Sequence, residues 1–291
     1  MNRRQQDPGL GQDLIDLAIA EDLGDRGDVT SLAFIPGESA SVARIVAREG
    51  CVVSGISTAK QVFERIDPLL DVKTTSSEGA SLSAGDTLME ISGSTRSILS
   101  GERTALNFLG RLCGVATQSR RYADAAKGTR VTLLDTRKTT PGWRLLEKEA
   151  VKAGGCTNHR VGLYDAVLVK DNHLAALGSL ESLQDVISKL RAAHPDLPVE
   201  IEADTLDQTE RLLAINGINV ILLDNMDSAT MRKAVVLRDR IAPDVLLEAS
   251  GGITLGNLHS IAETGVDRIS IGALTHSAPN ADLSLELGTG A

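Results

Sequence analysis

Val199-Glu200-Ile201-Glu202-Ala203-Asp204 alternates apolar and acidic residues, Val220-Ile221-Leu222-Leu223-Asp224-Asn225 opens on four apolar residues, and each ends in acidic or amide side chains. Between them lies an amphipathic stretch, Leu206–Ile215. The same unit recurs through the second half of the chain. Further apolar runs fall at Val131–Leu134, Ala166–Val169, Val245–Leu247 and Ile269–Ile271, with helical patterns at Leu180–Ala193, Ala229–Arg240 and Leu255–Ala262. Continuous apolar strands separated by helices predict a parallel sheet covered on both faces. At least six such units leave two architectures, a β/α barrel or an open doubly wound sheet.

The strand ends decide between them. Asp135-Thr136-Arg137-Lys138, Lys170-Asp171-Asn172-His173, Glu202-Ala203-Asp204, Asp224-Asn225, Ser250-Gly251-Gly252 and Gly272-Ala273 each follow an apolar run. Parallel strands bring all their carboxyl ends to one rim, which is where barrel enzymes do chemistry. An open sheet uses only the ends beside its switch point. Six loaded ends therefore favour a barrel.

Upstream of about residue 112 the pattern differs. Ala43–Arg48 and Thr87–Ile91 alternate as half-buried strands, and Asp13–Glu21 and Thr58–Ile66 read as helices. From Arg96 to Ala126 the apolar spacing predicts one or two long helices linking the halves. The expected organisation is an α/β domain over residues 1–112 and the β/α domain over 113–291.

Composition narrows the function. The chain has 291 residues, a net charge of −9, and only three Phe, two Tyr and one Trp. That argues against a nucleic-acid-binding surface, which needs clustered positive charge and stacking rings. No run reaches the ~18–20 apolar residues of a membrane span. Residues Met1–Gly9 lack the apolar stretch of a secretory signal, and Cys51, Cys113 and Cys156 form no CxxC pair, so a cytoplasmic protein without disulfides or zinc is expected.

Three groups of residues carry chemistry. Arg137, Lys138, His159, Arg160 and Lys170 gather cations on the first two units and the segment joining them. In an acidic protein this points to a polyanionic small molecule, Arg suiting carboxylates and Lys suiting phosphate. Ser250-Gly251-Gly252-Ile253-Thr254 and Gly272-Ala273-Leu274-Thr275 belong to the last two units, where barrels often bind phosphate through backbone N–H groups. Glu202 and Asp224 end consecutive strands and are candidates for Mg²⁺, for ribose hydroxyls, or for pairing with Lys138 and Lys170. His173, His194 and His259 read as cap, loop or helix-surface residues, and Lys148 with Lys152 as a solvated helix face. Cys156 near His159 has no third orienting residue, so a Cys/His nucleophile is not indicated.

Glu102-Arg103-Thr104-Ala105-Leu106-Asn107, Asp135–Gly142, Asn158-His159-Arg160, Val169–His173, Glu248–Gly252 and Gly272–His276 together resemble the decarboxylating quinolinate phosphoribosyltransferase family, in order from about Asp13 to Leu287. The resemblance implies an N-terminal α/β sandwich with a C-terminal incomplete, TIM-like (β/α) barrel. It implies a homodimer with shared active sites, and conversion of quinolinate and phosphoribosyl pyrophosphate to nicotinate mononucleotide, CO₂ and pyrophosphate with Mg²⁺. By resemblance Arg103 reaches quinolinate from the partner chain, while Arg137, His159 and Arg160 bind its carboxylates. Lys138 and Lys170 sit between the substrates, Glu202 and Asp224 address ribose and Mg²⁺, and Ser250–Gly252 with Ile271, Gly272 and Ala273 hold phosphate. Thr136 and His276 complete the substrate-binding positions it implies. Trp143, Glu149 and Cys156 depart from the family pattern, all outside the charged positions.

Three other readings compete. A salvage-type nicotinate phosphoribosyltransferase would hold one carboxylate, for which Arg137, His159 and Arg160 are more than needed. A molybdenum-associated paralogue shares the pattern. A non-catalytic carrier module is suggested by Glu78–Gly93, but no Lys occurs between Lys73 and Lys127 to serve as an attachment point.

Overall fold

Five of the predicted barrel strands pair in chain order, because each is apolar enough to be buried within a parallel sheet. The computed structural model describes residues 9–177 and 182–288. Residues Met1–Pro8, on which the reading of the leader rests, and Leu180–Glu181, the start of one expected helix, lie outside the described residues. Among the described residues, no helix is long and apolar enough to cross a membrane.

The elements are α1 (Gly9–Leu23), α2 (Val29–Phe34), β1 (Ala40–Ala47), β2 (Cys51–Val52), α3 (Ile56–Ile66), β3 (Asp71–Thr74), β4 (Ser81–Leu82), β5 (Thr87–Ser94) and α4 (Thr95–Ala125). They continue as β6 (Thr132–Leu134), α5 (Arg144–Ala153), β7 (Val167–Val169), α6 (Asp171–Leu177), α7 (Leu183–Ala193), β8 (Val199–Ala203), α8 (Leu206–Leu213), β9 (Val220–Asp224) and α9 (Ser228–Ile241). The chain closes with β10 (Leu246–Ser250), α10 (Leu258–Ala262), β11 (Arg268–Ser270), α11 (Ala273–His276) and β12 (Leu283–Gly288). The stretch predicted as one or two helices is the single helix α4.

Two compact units result, one comprising residues 1–120, 139–155 and 275–291, the other 121–138 and 156–274. In the second, six strands form one parallel sheet in the order β6-β11-β10-β9-β8-β7. All five β8 residues and the first four of β9 are buried; the β9 run is apolar throughout, whereas β8 buries Glu200 and Glu202 among its apolar residues. Helix starts follow local capping. Thr205 and Gln208 form a reciprocal capping box at α8, and Asp227 accepts the Thr230 N–H at α9. With six strands and β6 and β7 at its two margins, the sheet is an incomplete barrel.

The first unit is built on an antiparallel sheet in the order β12-β1-β5-β3, packed with α3 and α4 around Phe63, Leu88, Ile91, Ile98 and Phe108. The expected single boundary after residue 112 differs from this division at 113–120, 139–155 and 275–291. The physical reasons are long-range. β12 adds to the edge of β1 with Leu285 opposite Ile45. Helix α5 is drawn to α4 by Glu147, fully buried, whose Oε1 accepts from Arg111 Nη2 at 2.7 Å and from Thr140 Oγ1 at 2.7 Å. Trp143 stacks on Phe108 with ring centroids 4.6 Å apart, so this departure from the family pattern is part of the core. Gly154 lies so close to α4 that a Cβ there would come within 2.4 Å of the Ala116 carbonyl oxygen. Lys148 is only 1% exposed, contrary to its reading as a solvated residue, whereas Lys152 is exposed and paired with Glu149.

Candidate active site

The site is assembled at the carboxyl ends of the second unit's strands. Strand β6 ends at Leu134, and the fully buried Asp135 follows it. Asp135 N–H donates to the Thr157 carbonyl at 3.1 Å and Thr157 N–H to the Leu133 carbonyl at 2.8 Å, so residues 157–160 run alongside the strand end. Asp135 Oδ1 then accepts the His159 backbone N–H at 2.7 Å. Through these bonds Arg137, two residues beyond Asp135, and Arg160, one beyond His159, are held on one patch.

That patch is electrostatically strained. Arg137 Nε is buried with no hydrogen-bond partner among the described residues. Burial and then the adjacent Arg137 charge push the Arg160 guanidinium below its ordinary value, opposed by Glu200 and Asp165. Arg160 Nη1 donates to the Ala166 carbonyl at 3.1 Å, and the Asp165 carboxylate accepts the Val161 and Gly162 N–H groups, which pins the loop. An orphan buried donor on Arg137, with the Arg160 guanidinium near enough to feel the Arg137 charge, makes a ready site for an anion.

Beside them stands an acidic patch. Lys170 Nζ lies 3.1 Å from Glu202 Oε2, and Glu202, Asp204 and Asp224 can each bring an oxygen within 4.8 Å of the others. Glu202 is buried and Asp204 exposed. Asp224 Oδ2 accepts from Asn225 Nδ2 at 2.5 Å. Asn225 itself has a positive φ of 52° and donates its N–H to the Ser250 carbonyl at 2.9 Å. It thereby braces the glycine turn. Gly251 has φ +92° and a Cβ there would meet Asn225 Oδ1 at 2.1 Å, so only glycine fits. Next to it Gly252, φ +62°, faces open space, which leaves its backbone approachable by a ligand. Ile271 N–H donates to the Leu134 carbonyl at 2.8 Å, fixing where Gly272 and Ala273 leave β11.

The second unit thus gathers Thr136, Arg137, Lys138, His159, Arg160, Lys170, Glu202, Asp224, Ser250–Gly252 and Ile271–Ala273. Arg103, exposed on α4, and His276, exposed and bonded to the Ser277 hydroxyl, belong to the first unit. Four residues carried no assigned role in the sequence: Asp135 and Asp204 stood only among the strand ends, Glu248 only within a motif, and Glu200 within an alternating run. Glu200 and Glu248 occupy strand positions otherwise filled by apolar side chains, and that interruption was the available signal. His173 caps locally, its Nδ1 accepting the Lys170 N–H at 3.0 Å, and Cys156 is buried with the other two free cysteines.

An incomplete β/α barrel whose rim combines an arginine pair, a carboxylate cluster and a glycine turn is an enzyme scaffold for polyanionic substrates. Residues 28–113 match the N-terminal domain, and residues 115–286 the C-terminal domain, of quinolinate phosphoribosyl transferase. The chain belongs to the quinolinate phosphoribosyl transferase family. It is 41% identical to the nicotinate-nucleotide pyrophosphorylase (carboxylating) of Mycobacterium leprae, over 95% of this chain and 96% of that one. Its fold is similar to the solved nicotinate-nucleotide pyrophosphorylases of Francisella tularensis (TM-score 0.88, 33% identity, 96% of both chains) and Ehrlichia chaffeensis (TM-score 0.88, 36% identity, 95% of this chain and 98% of that).

Proposed function

We propose that this chain joins quinolinate to phosphoribosyl pyrophosphate and releases CO₂ and pyrophosphate, leaving nicotinate mononucleotide. The observation that carries the reading is the buried, unpartnered Arg137 Nε beside Arg160. Two adjacent carboxylates on a planar ring match two guanidiniums held side by side.

In the reaction the pyridine nitrogen attacks ribose C1 as pyrophosphate departs, through a transition state with oxocarbenium character. No protein nucleophile is required; positioning and charge stabilisation carry the step. Arg137 and Arg160 orient the ring, with Arg103 supplied by a second copy of the chain in a homodimer. Lys138 and Lys170 lie between the acceptor and the leaving group, where negative charge grows. Backbone N–H groups of Ser250–Gly252 and Ile271–Ala273 hold the phosphate, the glycine turn being shaped for close approach. Glu202 and Asp224, with Asp204, offer an all-oxygen donor set that fits Mg²⁺. When bound, that ion would neutralise charge on the pyrophosphate. Joining of the ring nitrogen makes a pyridinium beside C2. The C2–carboxylate bond then breaks, the ring takes the electron pair, and C2 gains a proton. Exclusion of water from the arginine patch favours that loss. Free, buried cysteines are consistent with a reducing, cytoplasmic setting.

Matched assays with quinolinate and nicotinate test the reading. Quinolinate should be converted, and nicotinate, which leaves a buried donor unpaired, should react at least about fivefold less efficiently, since each such donor costs about 1–3 kcal/mol. Comparable turnover of the two acids would refute it.

A further inference from the structure

His159, which the resemblance sets on the acceptor's carboxylates, turns its ring towards two buried glutamates, Glu200 and Glu248. His159 Nε2 is 2.9 Å from Glu200 Oε2 and 3.5 Å from Glu248 Oε1, with side chains 12%, 6% and 0% exposed. The other edge of the imidazole is also engaged, because Nδ1 accepts the Arg160 backbone N–H at 2.8 Å. A nitrogen that accepts carries no proton, so the ring proton sits on Nε2 and is donated to Glu200. Both ring nitrogens are then committed within the barrel unit. The donor set His159, Glu200 and Glu248 could by composition hold a metal ion. The lone pair a metal would need at Nε2 is absent, however, and that disposes of the alternative.

We propose that His159 is a positioning residue, clamped between Asp135, Glu200 and Glu248, that sets Arg160 against Arg137 to receive the acceptor's paired carboxylates. The chain of bonds is continuous. Asp135 Oδ1 takes the His159 main-chain N–H at 2.7 Å, Glu200 takes the ring proton, and the ring in return takes the Arg160 N–H. Rotation of the imidazole would release the Arg160 backbone and with it the spacing of the two guanidiniums. Glu248 Oε1 lies 3.5 Å from the same Nε2, and its oxygens make no hydrogen bond of good geometry among the described residues, so its part is steric and electrostatic. The inference deepens the proposed reaction and rests on it for the identity of the acceptor.

Steady-state kinetics of Glu200→Ala and Glu200→Gln, with each substrate varied in turn, read this directly. Loss of the acceptor at Nε2 in Glu200→Ala should raise the quinolinate KM about tenfold or more, the scale of one lost hydrogen bond to a buried group, with the phosphoribosyl pyrophosphate KM nearly unchanged. Glu200→Gln, whose amide oxygen can still accept, should restore most of the loss. Equal changes in both KM values, or no rescue by glutamine, would overturn the clamp. Nitrogen-15 spectra of the wild-type imidazoles give a second readout that needs no variant to fold. His159 should show a protonated Nε2 and an unprotonated Nδ1; the opposite tautomer refutes the proposal. Wild-type protein that fails to convert quinolinate would sink the reaction assigned above, while the spectra would still decide the clamp.

Discussion

Replacing Glu248 by glutamine should change the pH dependence of stability. The Glu248 carboxyl is fully buried, and burial first, then the neighbouring Glu200 charge, raise it from 4.5 to about 7, with His159, Ser270 and Arg268 pulling the other way. Because the folded state holds this proton more tightly than the unfolded chain, the group carries no penalty below pH 4.5. The penalty grows as pH rises from 4.5 towards 7 and is constant above that. The full displacement corresponds to about 3 kcal/mol as an upper limit. Glutamine has the same shape and no charge to desolvate, and its amide can donate to Glu200 Oε1, which has no partner among the described residues. Urea denaturation of both proteins from pH 5 to pH 8 measures the difference. At pH 5 the variant should exceed wild type by less than about 1 kcal/mol, and above pH 7.5 by about 2–3 kcal/mol. A gap independent of pH, or one that closes as pH rises, would refute the account of Glu248 as a proton-holding buried acid.

Three further outcomes follow from other parts of the molecule. Glu147→Ala should destabilise the protein by about 3 kcal/mol in the same denaturation assay, because it leaves the largely buried Arg111 guanidinium without its carboxylate, bonded only to the Thr275 and Ala278 carbonyls; a loss below about 1 kcal/mol would contradict that role. Gly251→Ala must move Asn225 and strain a positive-φ turn, so the KM for phosphoribosyl pyrophosphate should rise while that for quinolinate holds, and an unchanged value would remove this turn from the phosphate site. Arg103→Ala and Lys138→Ala, each inactive alone, should regain activity when mixed and reassembled, to at most about a quarter of wild type if pairing is random and sites are independent. No recovery despite subunit exchange, shown with differently tagged chains, would argue against a shared site.

Much of the barrel could be read from the chain because its information is local. Strands such as Val220-Ile221-Leu222-Leu223 are buried on every side, so their apolar runs declare themselves, and Asp227 and Thr205 mark helix starts within a few residues of the helices they cap. Charged residues just past such runs fall on the rim by the geometry of parallel strands alone, which is how Arg137, Lys170, Glu202 and Asp224 could be grouped. Long-range choices left no such mark. Residues 283–288 could have formed any edge strand; their partner is β1, more than two hundred residues earlier, a pairing that sets half-buried Leu285 opposite the buried Ile45 and leaves 286–288 exposed at the sheet's edge. Lys148 and Lys152 have one spacing and opposite fates, since helical period defines a face without saying what that face meets. Nothing local in the chain marks the glutamates at 200 and 248 as buried. Only the closing of β8 and β10 around His159 turns them into a buried pair, because burial and the nearness of another charge belong to the packed barrel and not to either residue.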